Sequence, residues 1–489
     1  MTTDPRILDR IVKAYDVRGT TPDQMNDDVA RALGIGFAVF TGATSVVVAR
    51  DMRLTGESLV RAFAEGVNSC GVDVVDLGLA STDMVYFAAG ILDMPGAMFT
   101  ASHNPAQYNG VKFCLSGARP VGLDTGLAEI RDTAKQVLAG NGPAPHTRSG
   151  TVSTRGMLDA FADHVVGFID RSVLKPMKVV ADTANGMGGL IVPVVFERLP
   201  VMDLEVMFPE LDGSFPNHPA DPIQPANQRD LQARVVAGGF DVGLAFDGDA
   251  DRGFVVDEKG RGLSGSTTTA ILAAAVLREH PGATILHNLI CSRAVPEVVE
   301  ENGGRAVRTR VGHSNIKQVM AETGAVFGGE HSAHYYFLDN FRADSGIIAA
   351  MFVLAEMSRS GKPLSELRVP FERYEASGEI NITIGPGGFR VDVPESNPLK
   401  LVVGPFQADL SGYIDSQGHF LFNAHAGIHL TARPEEAVAV DHAAGWRAEG
   451  HGVGHRGTRD VAGERRGEGA IPHRQRVGAR TGCVGEHRP

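Results

Sequence analysis

Three times along this chain a short aliphatic run breaks into a polar loop and then resumes at helical spacing. That recurrence restricts the fold more than any other feature. The first run is Ser45–Ala49, followed by Arg50-Asp51-Met52-Arg53-Leu54-Thr55-Gly56 and then by Leu59, Phe63 and Val67 on one helical face. The second is Lys178–Ala181, followed by Asp182-Thr183-Ala184-Asn185-Gly186 and a helix-like stretch. The third is Ala283–Leu286, a loop through Ser292, and then Val295, Val298 and Val299. Continuous apolar strands that feed amphipathic helices are what a sheet covered on both faces requires. The starts lie more than a hundred residues apart, too far for a solenoid repeat. The pattern therefore predicts three related α/β domains, with breaks near residues 150, 258 and 370: 1–150, 151–258 and 259–370.

Bulk properties narrow the function. Net charge is −12 over 489 residues, which argues against a general nucleic-acid binder but leaves room for a local cationic pocket on an acidic body. Cys70, Cys114, Cys291 and Cys483 form no C-x-x-C pair and read as reduced thiols of a cytoplasmic protein. The first eighteen residues carry no signal-like apolar run, and no stretch approaches the roughly 20 apolar residues that span a bilayer. The expectation is a protein that engages neither membrane nor nucleic acid.

Four motifs carry chemistry. Thr100-Ala101-Ser102-His103-Asn104-Pro105 places a serine among small polar residues, and Pro105 turns Asn104 away from helix, so Ser102 is expected on a loop. Alone, this reads equally as an ordinary turn. Asp247-Gly248-Asp249-Ala250-Asp251-Arg252 follows the apolar run Val242–Phe246 and gathers three carboxylates round one point. Hard oxygen ligands of that kind suit Mg²⁺, Gly248 relaxes the turn, and Arg252 can take a phosphate oxygen. Glu330, Ser332 and His334 in Gly328–Tyr336 offer acceptor, hydroxyl and imidazole to sugar hydroxyls, or form a capping loop with surface histidines. Arg310, His313 and Lys317 in Thr309–Lys317 form a cationic lining or an exposed strand-to-helix turn. Arg18, Arg50 and Arg53 add cations on short loops or decorate the surface, and Lys112 is a neighbour of Ser102 or an exposed lysine.

Taken together and in order, KAYDVRG (13–19), RDMRLTGE (50–57), TASHNPAQYNGVK (100–112), DGSFPNHPADP (212–222), FDGDADR (246–252), TRVGHSNIK (309–317), GGEHSAHYYF (328–337) and SGEIN (377–381) resemble the α-D-phosphohexomutases, specifically their bacterial phosphomannomutase/phosphoglucomutase branch. The pairing of TASHNP with DGDADR is the specific part. The resemblance implies three α/β domains around a central cleft plus a C-terminal α+β domain. It implies phosphoryl exchange between C1 and C6 of a hexose, mannose and/or glucose, through a phosphoserine at Ser102 and a bisphosphate intermediate. It assigns Mg²⁺ to Asp247, Asp249, Asp251 and the Ser102 phosphate, hexose 1,6-bisphosphate as activator, and substrate contacts to Tyr15, Arg18, His313, Glu330, Ser332 and His334. Arg252 would neutralise charge, and Lys112 or His103 would serve as base. A monomer or dimer is expected. Two competing readings are a metal-dependent hexose-phosphate phosphatase and an inactive sugar-phosphate binder.

The chain departs from the family at its end. A phosphate-gripping loop resembling R-[PAT]-S-N-T-E-P is expected after Phe422-Asn423, but the sequence reads Ala424-His425-Ala426-Gly427-Ile428. No lysine follows Lys400, and Arg, Gly, His and Ala dominate from about Gly445 without periodicity. The reading is an incomplete or aberrant fourth domain at 371–423 and a disordered tail at 424–489, produced by a frameshift near 423 or as early as 385; the alternative is a natural tail with another role. Resequencing the coding DNA is expected to reveal an intact alternative frame that encodes the phosphate loop; its absence would refute the frameshift.

Overall fold

A computed structural model describes residues 3–374, except for the side chain of His313. Beyond these it describes the backbone of four strands, Asn381–Gly385, Gly388–Asp392, Leu410–Ile414 and Phe420–Ala424, paired as two antiparallel hairpins. The tail expected at 424–489 lies, apart from Ala424, outside the described residues.

The three expected starts are present. Strand Ser45–Arg50 leads to helix Gly56–Ser69, strand Met177–Asp182 to helix Gly188–Phe196, and strand Thr284–Asn288 to helix Ala294–Glu301. Val46, Val47 and Val48, then Val179 and Val180, then Ile285 and Leu286 are wholly buried, as strands covered on both faces must be.

Each start belongs to a sheet of one plan. In the first domain, Ser45–Arg50 lies between the parallel strands Asp73–Leu79 and Gly96–Phe99, and Tyr108–Leu115 runs antiparallel beside the latter. In the second, Met177–Asp182 lies between Met202–Met207 and Val242–Phe246, with Gly253–Asp257 antiparallel at the edge. In the third, Thr284–Asn288 lies between Arg305–Thr309 and Phe327–Gly329, with Tyr335–Phe337 antiparallel. The first sheet is extended by Val17–Thr20 on one side and Val152–Thr154 on the other. It therefore runs past residue 150; the last strand is an exposed edge with no buried residue to mark it in sequence.

Capping fixes where the covering helices begin. Asn26 accepts the N–H of Val29 at the start of Asp27–Thr41, and Ser81, Ser264 and Ser345 cap Thr82–Ile91, Gly265–Glu279 and Gly346–Ser360. One apolar core runs through all three domains from Val47 to Leu364, and a second, built round Phe37, Phe63 and Phe113, fills the outer face of the first domain. Helices Asp27–Thr41 and Gly56–Ser69 cross there at backbone contact. A Cβ on Gly34 would lie 2.3 Å from the Phe63 carbonyl oxygen, and one on Gly66 would lie 2.2 Å from that of Arg31.

Alanine in mid-helix ordinarily gains stability over glycine, but here a backbone oxygen occupies the space. Gly66→Ala is expected to lose about 1–3 kcal/mol, the cost of overpacking. Gly156→Ala, where nothing lies within 4 Å, should stay within about 0.5 kcal/mol of wild type. Denaturation midpoints compare the two; equal midpoints would contradict the close helix crossing.

Candidate active site

In every domain the same connection, from the third parallel strand to the antiparallel fourth, holds a chemical motif: residues 100–107, 247–252 and 330–334. Each connection contains a non-glycine residue in the left-handed region, Ser102 (φ 48°), Ala250 (φ 60°) and Ala333 (φ 64°). Such a conformation costs on the order of 1–3 kcal/mol and persists only where the surroundings enforce it.

The first two connections meet. Ser102 is 4% exposed, its N–H bonds to Thr100 Oγ1 at 2.8 Å, and its Oγ donates to Asp247 Oδ2 at 2.7 Å. Arg252 Nε lies 2.9 Å from the same carboxylate oxygen, and Arg252 Nη2 lies 3.2 Å from Ser102 Oγ. His103 Nδ1 is 3.3 Å from Ser102 Oγ and also bonds Arg252 Nη2. Burial and the Arg252 charge hold His103 down to about 2, so its ring is neutral.

Gly248 has a different reason from the one expected. Its backbone is not left-handed; that conformation falls on Ala250. The carbonyl oxygen of Ser102 lies 2.5 Å from where a Gly248 Cβ would stand, so glycine is needed for close approach of the two loops.

Asp247, Asp249 and Asp251 are all buried, with ligand oxygens within 4.8 Å of one another. Lys112 joins them from strand Tyr108–Leu115, with Nζ 2.9 Å from Asp249 Oδ2 and 2.7 Å from Asp251 Oδ2. Burial opposes the lysine's charge, but the two carboxylates outweigh it and hold its pKa well above the usual value. Burial pushes Asp247 up to about 7, against the pull of Arg252 and with the push of the two neighbouring carboxylates. Asp249 Oδ1 and Asp251 Oδ1 are buried without a hydrogen-bond partner. Three convergent carboxylates with two orphaned oxygens are a donor set that fits Mg²⁺. Glu258, further along, is carried away by strand Gly253–Asp257 and accepts the Ser365 N–H at 3.0 Å, so the run is not an EF-hand loop.

The third connection touches the cluster through His334. Its Nδ1 bonds Asp344 Oδ2 at 2.7 Å and stands 3.7 Å from Asp251 Oδ1; burial lowers its pKa, but the two aspartates prevail and raise it. Glu330 is buried. Its Oε1 accepts from Asn288 Nδ2 and the Gly312 N–H, each at 3.1 Å, and its Oε2 accepts from Tyr336 OH at 2.7 Å. Ser332 is half-buried on the turn. Tyr15, 36% exposed, has a ring carbon 3.4 Å from where a Gly312 Cβ would stand. Arg18 reaches the serine loop through Asn104 Oδ1 and pairs with Asp16 at 2.6 Å. The side chain of His313 lies outside the described residues. Lys317 lines no exposed face: it is buried, with Nζ 3.4 Å from the Tyr86 ring centroid and 3.5 Å from Asp344 Oδ1.

Three residues at this junction carried no local sequence signal. Thr82 Oγ1 donates to Asp249 Oδ2 at 2.6 Å. Asp83 accepts from Ser345 Oγ at 2.6 Å, tying the first domain to the third. Asp344 orients His334 from ten residues downstream.

Comparison with known proteins identifies the family. Family models for phosphoglucomutase/phosphomannomutase α/β/α domains I, II and III match residues 9–139, 159–261 and 264–374. The chain is 40% identical over 376 residues to a protein of Xanthomonas campestris pv. campestris named for phosphohexose mutases, covering 76% of this chain and 82% of that one. It is 38% identical over 375 residues to the phosphomannomutase of Escherichia coli K12, with the same coverage. A crystal structure of a phosphoglucomutase/phosphomannomutase family protein from Burkholderia thailandensis superposes with a TM-score of 0.71 at 30% identity, covering 86% of this chain and 92% of that one. With three family domains in order and relatives of this similarity over most of their length, the chain belongs to the phosphoglucomutase/phosphomannomutase family of phosphohexomutases.

Proposed function

We propose that this chain interconverts hexose 1-phosphate and hexose 6-phosphate, of mannose and/or glucose, through a phosphoserine at Ser102 and a hexose 1,6-bisphosphate intermediate. The observation that carries the reading is the placement of Ser102 Oγ, 2.7 Å from Asp247 and 3.2 Å from Arg252 beside a buried carboxylate triad. The names of the relatives, phosphomannomutase and phosphohexose mutase, support the substrate class.

In the proposed cycle the bond from phosphorus to Ser102 Oγ breaks as a bond forms to the free hydroxyl of the hexose phosphate, and the proton of that hydroxyl ends on Ser102 Oγ. The bisphosphate then turns in the cleft and returns its other phosphoryl group to Ser102. Asp247, Asp249, Asp251 and the serine phosphate would hold Mg²⁺, which when bound neutralises charge on the phosphoryl oxygens. Arg252 adds a fixed cation against the same oxygens. Of the two candidate bases, Lys112 is clamped as an ammonium by two carboxylates, so its role is charge balance. His103 Nδ1 is 3.3 Å from Ser102 Oγ, but it already accepts from Arg252 Nη2 and its pKa is held down to about 2, too weak for a base. Its role is to hold Arg252 beside the serine, whose proton is directed at Asp247 Oδ2, 2.7 Å away. Glu330, Ser332, His334, Tyr15, Arg18 and His313 are proposed to line the hexose side. Glu330 Oε2 retains one lone pair beyond its bond to Tyr336, enough for one sugar hydroxyl. The chain then divides just after Thr154 and near 258 and 370, with 371–423 contributing to a fourth domain.

Phosphorus NMR on mannose 1-phosphate with Mg²⁺ and trace hexose 1,6-bisphosphate is expected to show the 6-phosphate growing in, and chelation by EDTA should stop it until Mg²⁺ is restored. Ser102→Ala should abolish turnover. Free phosphate as the sole product, or a fully active Ser102→Ala protein, would overturn the reading. His103→Ala, which removes only the ring partner of Arg252, should lower turnover by less than about tenfold, and a loss of about 10²–10⁴-fold, the usual reach of general base catalysis, would make His103 the base after all.

A further inference from the structure

The motif Arg50–Glu57 and the segment Asp212–Pro222 have no part in the cycle described above, yet they meet directly beneath the Ser102 loop. Arg53 is 2% exposed, and both of its terminal nitrogens are spent on backbone oxygens. Nη1 donates to the carbonyls of Pro105 and Tyr108, each at 2.9 Å. Nη2 donates to those of Ser102 at 2.8 Å and Asn104 at 2.6 Å. All four bonds fall within residues 102–108, the loop that bears the serine and its entry into the next strand.

The guanidinium is itself fixed from two sides. Asp51, wholly buried, accepts the Arg53 backbone N–H at 3.0 Å and pairs with Nε at 3.2 Å. From the second domain, the Phe215 ring covers the guanidinium with its centroid 5.3 Å away. Gly213 permits that cover, since a Cβ there would lie 2.6 Å from Arg53 Cα.

We infer that Arg53 is a positioning residue for phosphoryl transfer, gathering the carbonyl oxygens of the Ser102 loop so that Ser102 Oγ is held in its reacting place. The inference rests on the phosphoserine reading. Two physical arguments lead to it. A dianionic phosphate on Ser102 is repelled by carbonyl oxygens that face it. Drawing four of them inward onto a buried cation removes that repulsion and leaves the outer side of the loop to the donors of Arg252. The second argument is steric. The Ser102 carbonyl that Arg53 holds is the oxygen that abuts Gly248 of the metal-binding loop, so a shift of this carbonyl shifts Ser102 Oγ against Asp247 as well. A lysine in place of Arg53 has one nitrogen and three donors, and cannot span four carbonyls.

The test uses the full-length protein and follows labelling of Ser102 by glucose 1,6-bisphosphate, read by intact mass and peptide mapping, together with steady-state kinetics on mannose 1-phosphate. Arg53→Lys is expected to slow both Ser102 labelling and kcat by about 10²-fold, the scale of a misplacement near 1 Å, while KM stays within about twofold. Labelling at the wild-type rate in folded Arg53→Lys protein overturns the inference, as does a loss confined to KM or to the unfolded fraction. Should Arg53→Lys not fold, Phe215→Ala keeps the guanidinium and removes its cover. It should slow labelling about tenfold, and an unchanged rate overturns the inference. Wild-type protein that is never labelled on Ser102 overturns the phosphoserine reading and this inference with it, whereas wild-type labelling matched by the variants overturns the inference alone.

Discussion

The contact on which the rest depends is that of Ser102 with the buried aspartates. Asp247, Asp249 and Asp251 are each at most 1% exposed, where an unpaired carboxylate is not tolerated. Lys112 and Arg252 supply two positive charges against three negative ones, and the remaining deficit falls on Asp247, whose pKa burial pushes up to about 7. On the reading proposed here, phosphorylating Ser102 adds further negative charge to that same place. A divalent cation on the triad offsets it, which makes the metal a requirement of electrostatics as well as of chemistry.

The three domains explain how such a cluster is assembled. Each is the same four-strand plan, and in each the connection into the antiparallel strand lies at the carboxyl end of the parallel strands, where α/β sheets place their ligands. One plan used three times thus yields a serine loop, an acidic loop and a polar loop. The joint between them is held by groups that are not themselves reactive. Within one stretch of helix start, Thr82 reaches Asp249 of the second domain and Asp83 reaches Ser345 of the third. Ser81 and Ser345 each cap a helix and each bond Asp83, so the two helix N-termini share one carboxyl group, whose pKa burial pushes up to about 7.

The sheet plan was legible because the apolar runs at 45–49, 178–181 and 283–286 are continuous, and continuity means burial on both faces. Ser102 and the aspartates were legible because their spacing is local: proline after the serine loop, aspartates at alternate positions. What was not legible depends on contacts between distant segments. Arg53 reads as one more loop cation until its four carbonyl partners are seen, and Lys112 as surface until Asp249 and Asp251 are placed on it. Gly248 was read as a flexible turn residue, whereas its role is to admit a carbonyl from another domain. Val152–Thr154 lacks any apolar pattern, being an exposed edge held only by pairing with Asp73–Leu79.

The distribution of burial across the site fits the reaction proposed for it. The transfer centre, Ser102 with Asp247, Lys112 and Arg252, is enclosed and cross-bonded, so its geometry is the same whichever phosphate is presented. The groups proposed for the hexose are more exposed toward the outside: Ser332 is half-buried, Tyr15 exposed, and Glu330 buried and already engaged by Tyr336 and Gly312. An intermediate that must present first one end and then the other needs this asymmetry. A rigid transfer centre supplies the pre-organisation on which phosphoryl transfer depends, and a more exposed sugar side leaves room for the intermediate to turn.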